Sequence, residues 1–83
     1  MAVRIHPHAA ARMEERGALF AEVAATVEAG ESYPARHGRS GFRRNFQFDG
    51  IGGGKRYRTK QIDVFAIQEN DEWLVITVIV KYF

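Results

Sequence analysis

The sequence predicts an α+β domain in which two N-terminal helices pack on an antiparallel sheet of three to four strands. Two observations carry that expectation. Apolar residues follow a helical period up to Gly30 and a period of two beyond it. Gly17 and Gly30 also stand where two helices of about ten residues would stop. A chain of 83 residues is enough for a single domain, residues 1–83, with one core.

Pro7 suits the first turn of a helix, where its missing N–H is no loss. The alanine-rich run 7–16 reads as the first helix. The second spans about 19–29, with either Leu19, Val23 and Val27 or Phe20, Val23, Ala24 and Val27 on its apolar stripe. The short break at Gly17-Ala18 makes the two an αα-hairpin. A short edge strand interrupted by Pro34 is expected around residues 31–37. Three main strands follow, near 41–48, 57–68 and 73–82. In the first, Phe42, Arg44, Phe46 and Phe48 alternate with Arg43, Asn45 and Gln47. Residues 49–54 read as a hairpin loop and residues 69–72 as a turn. The last strand is apolar on both faces, as a central or doubly covered strand would be.

The pleat then sorts the side chains. If Phe42, Phe46, Phe48, Ile62, Val64, Ile76 and Val78 face the helices, then Arg43, Asn45, Gln47, Gln61, Asp63 and Thr77, with Lys81 as a further candidate, share the opposite face. That face is a floor for a polar ligand or a plain solvent-facing surface. Phe65, Ile67, Trp73 and Val75 add apolar area to it, which makes a homodimer interface the alternative.

Charge is segregated along the chain. Residues 36–60 hold eight basic groups and one acid, about +7, whereas the rest holds four basic and nine acidic groups, about −5. Phe42, Phe46, Phe48 and Tyr57 are interleaved with those cations. Guanidinium groups beside stackable rings suit phosphates and unpaired bases, so RNA or another polyanion is the expected partner. A solvated basic hairpin is the structural alternative. The chain has no cysteine, hence no disulfide or thiol chemistry. It opens without an apolar secretory run, and its longest apolar stretch falls far short of the ~20 residues that span a bilayer. A soluble, cytoplasmic protein with no membrane partner is expected.

The glycine cluster before Lys55 fails as a phosphate-binding loop, because Asp49 and Arg56 stand where glycine and Ser or Thr are required. His6, His8 and His37 lack the spacing of a zinc site, so neither a metal nor a cofactor is expected. His8, Arg12 and Arg16, spaced by four, form one helix ridge. An imidazole there could move a proton while guanidiniums hold a phosphate. Equally, Glu15 could serve Arg12, and the helix C-terminus favours Arg16. Tyr57-Arg58-Thr59-Lys60-Gln61 gathers a phenol, a hydroxyl, an ammonium and an amide, with Lys60 either desolvated and suited to proton transfer or exposed at a strand start.

The segments His8-Ala9-x-x-Arg12-Met13-x-x-Arg16-Gly17, Gly41-Phe-Arg-Arg-Asn-Phe46, Tyr57-x-Thr-Lys-Gln61 and Val75-Ile-Thr-Val-Ile-Val-Lys-Tyr-Phe83 resemble a widespread family of small bacterial domains of unknown function, number 4258 (DUF4258-like). The resemblance covers nearly the whole chain. That family is similar in layout to RelE-like and BrnT-like toxins, which set two N-terminal helices on an antiparallel sheet. Many of those toxins are metal-free ribonucleases neutralised by a partner antitoxin. The family carries no assigned activity; by analogy of layout the resemblance extends the expected RNA binding to toxin-like, metal-independent cleavage and an antitoxin partner. His8, Tyr57 or Lys60 would be the acid or base, and Arg12, Arg16, Arg39, Arg43, Arg44, Arg56, Arg58 and Gln61 would contact RNA. Two other readings stay open: a nucleic-acid-binding module without catalysis, and a homodimeric protein-interaction module.

Overall fold

A computed structural model describes residues 2–83. In chain order the elements are β1 (Ala2–Ile5), α1 (Pro7–Arg16), α2 (Phe20–Ala29), β2 (Glu31–Pro34), β3 (Ser40–Gly52), β4 (Lys55–Glu69) and β5 (Glu72–Tyr82). The strands form one sheet in the order β1-β5-β4-β3-β2, and the helices cover one of its faces.

Local chemistry accounts for both helices. The His6 imidazole caps α1 by accepting the His8 N–H at its Nδ1, 3.1 Å away, and Pro7 follows at the first helical position. Gly17 ends α1 in the left-handed conformation, φ 76°. Leu19 precedes α2 with no side-chain acceptor of its own. Glu22 Oε1 accepts the Leu19 N–H at 2.9 Å instead, half of a capping box. Ala9 and Met13 of α1 and Val23, Thr26 and Val27 of α2 are buried against Phe42, Ile62, Val64, Ala66, Val75 and Val78. Burying each valine or isoleucine of that set contributes roughly 1.5–3 kcal/mol. Thr26 is tolerated there because its hydroxyl donates to the Glu22 carbonyl at 2.8 Å. Leu19 and Phe20 stay exposed, and Val23 and Val27 are the buried members of the expected stripe, with Ala24 half-buried.

Three features depart from the expectation. First, the sheet has five strands and is mixed: β1 runs parallel to β5, from Ala2 opposite Glu72 to Ile5 opposite Val75. A four-residue strand carries too little alternation to be read alone, and parallel pairing requires a partner far along the chain. Arg4 fastens it, reaching Glu69 at 3.3 Å and Glu72 at 2.9 Å.

Second, the expected loop 49–54 shrinks to Gly53-Gly54. Both glycines have positive φ, as the primed hairpin turns require, and the strands run on to Gly52 and from Lys55. A bulge between Gln47 and Gly50 takes up the extra residue. Because β5 has no partner for residues 55–57 of β4, the tip projects as a two-stranded ribbon. The molecule measures 42 × 23 × 22 Å.

Third, a bulge in β5 sets Phe65 opposite Thr77 but Ala66 opposite Val75, leaving Ile76 as the extra residue. The pleat changes phase there. Val75 is fully buried, and Trp73 packs against the core with its ring edge-on to Phe42 at 5.1 Å. The expectation that Trp73 and Val75 lie outside is therefore overturned.

Candidate functional site

Cross-strand register decides which functional groups can meet. On the helix-free face the row Arg43–Asp63–Ile79 lies beside the row Asn45–Gln61–Lys81. Asp63 is only 3% exposed, and one of its carboxylate oxygens takes two donors. The Tyr33 hydroxyl of β2 donates to Asp63 Oδ1 at 2.8 Å, and Arg43 Nε donates to the same oxygen at 2.7 Å. The Arg43 guanidinium also lies 5.5 Å from the Tyr33 ring centroid. The Tyr33 ring in turn occupies the space over Gly41: a Cβ there would come within 2.3 Å of it. Phe65 meets the Tyr33 ring edge-on at 6.2 Å. Burial first, and the bond to Asp63 second, push the Tyr33 phenol above its ordinary pKa. The Asp63 carboxylate pushes the Arg43 guanidinium up as well.

Beyond Tyr33 the β2–β3 hairpin closes through residues 36–39. The Arg39 N–H donates to the Arg36 carbonyl at 3.2 Å, with His37 and Gly38 at φ 61° and 71° between them. This turn stands beside a concavity of about 440 Å³. Tyr33, Phe65 and Thr77 supply its apolar lining, and Arg36, His37 and Arg39 its polar groups. Sequence reading missed Tyr33, Arg36 and His37 as site residues. The His37-Gly38 pair was the available turn signal, but the contribution of Tyr33 depends on pairing with β3.

The residues expected to carry proton transfer do not meet. Lys60 is 6% exposed and lies under the α1–α2 connection, where its ammonium donates to the Gly17 carbonyl at 2.5 Å and to Glu22 Oε1 at 2.8 Å. It ties the helices to the sheet. His8 is exposed at the other end of α1, nine residues before Gly17, or about 13 Å along the axis. Tyr57 packs on Tyr82 with ring centroids 5.9 Å apart. Lys60 and Arg43 lie on opposite faces of the sheet, since Lys60 is three residues from Asp63, the partner of Arg43.

The other expected contacts also separate. Arg12 pairs with Glu15 at 2.9 Å. Arg16 donates to the Val78 carbonyl at 2.6 Å, covering the edge of β5 where β1 has run out. Arg44 lies over the Phe46 ring at 5.2 Å and leans toward the Ala25 carbonyl of α2. Gln61 donates to Asn45 Oδ1 at 2.9 Å on the helix-free face. Arg39 stands at the concavity, and Arg56 and Arg58 belong to the β3–β4 tip.

Among the described residues, Arg36, Arg39, Lys55, Arg56, Arg58 and Lys81 have no ion-pair or hydrogen-bond partner on their side chains. No group of three or more His, Asp or Glu among those residues could hold a metal ion. Among the described residues no helix is long and apolar enough to cross a membrane. Compared with known proteins, the chain matches no family model, no curated protein and no solved structure.

Proposed function

We propose that this chain is a nucleic-acid-binding module whose contact surface is the helix-free face of the sheet, extended by the basic β3–β4 tip. The division of the cations carries the proposal. Arg4, Arg12, Arg16, Arg43 and Lys60 are bound to acceptors within the protein, whereas Arg36, Arg39, Lys55, Arg56, Arg58 and Lys81 are left free. Unpaired cations are the ones that release counterions from a phosphate backbone at little internal cost.

The arrangement favours an extended ligand. Thirteen residues of β3 separate Arg39 from Gly52, roughly 43 Å of strand, so free cations stand at the two ends of the long axis. Asn45, Gln61 and Lys81 lie in one row between them and offer hydrogen bonds along the way. The resemblance to the number 4258 domains, and through them to RelE-like and BrnT-like toxins, favours RNA as the polymer and the cytoplasm as the place. The reading is of binding without cleavage, because His8, Tyr57 and Lys60 have no common site and Lys60 is spent on Gly17 and Glu22.

The test is RNA binding as a function of salt, with EDTA present. Engaging about five phosphates gives a log–log slope near −3.5 for a single strand and −4.5 for a duplex. Replacing Lys55, Arg56 and Arg58 by glutamine should flatten the slope by about two to three units at an unchanged thermal midpoint. No retardation at about 50 mM salt rules the module out. Cleaved RNA would restore the ribonuclease reading. A concentration-dependent mass without RNA affinity would favour a homodimer through exposed Ile79 and its apolar neighbours.

A further inference from the structure

We infer that the concavity beside the residue 36–39 turn is a subsite for one unpaired nucleotide, its base against Tyr33 and Phe65 and its phosphate at Arg36 and Arg39. The inference rests on the nucleic-acid reading and gives it a preference for single strands. Two properties of the lining decide the ligand class. Tyr33, Phe65 and Thr77 offer apolar and aromatic surface, which inorganic phosphate could not use. Arg36 and Arg39 bring two permanent positive charges with no partner in the protein, which a neutral apolar ligand would leave uncompensated. A flat ring joined to an anionic group satisfies both.

A volume of about 440 Å³ lies within the roughly 300–1,000 Å³ of small-ligand pockets. A base paired inside a duplex cannot present its flat face to such a wall, so the nucleotide must be unpaired.

The wall is also pre-organised. The Tyr33 ring is seated over Gly41, buttressed by Phe65 and anchored through its hydroxyl to Asp63, which Arg43 holds from the other side. It needs no reordering when a base arrives, which keeps the entropic cost of binding low. The 36–39 turn likewise has its ends fixed, by Arg39 N–H to the Arg36 carbonyl and Ala35 N–H to the Arg39 carbonyl at 3.0 Å. Both arginines therefore project from a defined backbone.

Two measurements test the subsite. Adenosine 5′-monophosphate titrated into the protein should shift amide and ring resonances of residues 33–39, Phe65 and Thr77, and leave the β3–β4 tip unmoved. In parallel, a single-stranded RNA decamer and a blunt duplex of the same sequence are bound to wild type and to variants. Arg36→Gln with Arg39→Gln should abolish the preference for the single strand. Phe65→Leu, which keeps the apolar volume, should weaken single-strand binding roughly five- to hundredfold and leave the duplex unaffected. The tip variant should weaken both forms alike. Equal affinity for both forms in wild type, or nucleotide shifts centred away from residues 33–39, Phe65 and Thr77, overturns the subsite and leaves the module standing. Failure of every RNA to bind removes the module and the subsite together.

Discussion

Lys60 and Asp63 are the buried charged side chains among the described residues, three positions apart on β4 and therefore on opposite faces of the sheet. Each is held by groups distant in sequence. Glu22 and the Gly17 carbonyl serve Lys60, and Tyr33 and Arg43 serve Asp63. An isolated charge buried this deeply would cost far more than any one contact returns, so the partners are obligatory. The Tyr33 bond has a consequence for pH. Its phenol is raised by burial and by Asp63, so the folded state holds that proton more tightly than the unfolded chain does. The associated stability is fully present below the unfolded tyrosine value of about 10 and is lost as pH rises through the higher folded value. Urea midpoints should therefore fall more between about pH 9 and pH 11 in the wild type than in Tyr33→Phe. Equal losses in the two proteins would mean that the phenol is not held as described.

At the scale of elements, two glycines set how closely strands and helices approach. A Cβ at Gly30 would come within 2.3 Å of the Thr26 carbonyl oxygen and 2.8 Å of the Arg43 carbonyl oxygen. Both are backbone atoms, so neither can step aside. At Gly41 the obstacle is the Tyr33 ring, a side chain that can shift only by straining its bond to Asp63. Gly30→Ala should thus exceed the roughly 1–3 kcal/mol typical of overpacking, while Gly41→Ala should stay within it. Thermal or urea unfolding gives the order, and only Gly41→Ala should alter the near-ultraviolet tyrosine signal.

Element boundaries reveal what sequence reading could reach. Both helices lie where Pro7, Gly17 and Gly30 place them, because caps and stops act within a few residues. The phase of β5 could not be read the same way. Val75 and Ile76 are near-equivalent in character, and the bulge that buries one of them belongs to the pairing with β4.

Across the whole molecule, the basic stretch that is continuous in sequence becomes two separated groups. Arg36 and Arg39 stand at one end and Lys55, Arg56 and Arg58 at the other, with Arg43 and Arg44 directed to opposite faces between them. Residues this far apart and without shared partners contribute independently. The losses in log affinity from Arg36/Arg39→Gln and from Lys55/Arg56/Arg58→Gln should therefore add, within about 0.3–0.5 kcal/mol, on a strand long enough to span both ends. On an RNA too short to span the roughly 40 Å, binding engages one end at a time, and the avidity of the longer strand disappears. Strong coupling between the two groups of substitutions, or affinity independent of RNA length, would contradict two separate ends.

Sequence alone determined the two helices, the change to strands after Gly30, the excess of cations in residues 36–60 and the polar row of Asn45 and Gln61. Those properties follow from neighbours within a turn of helix or a few residues of strand. Only the tertiary structure decided which cations remain free, that β1 joins the sheet beside β5, and that Tyr33 and Phe65 build a wall next to Arg36 and Arg39. The physical reason is long range in each case. Lys60 is neutralised by an acid 38 residues away, Arg43 by one 20 residues away, and the wall exists because a four-residue edge strand lays its single tyrosine over a glycine of β3.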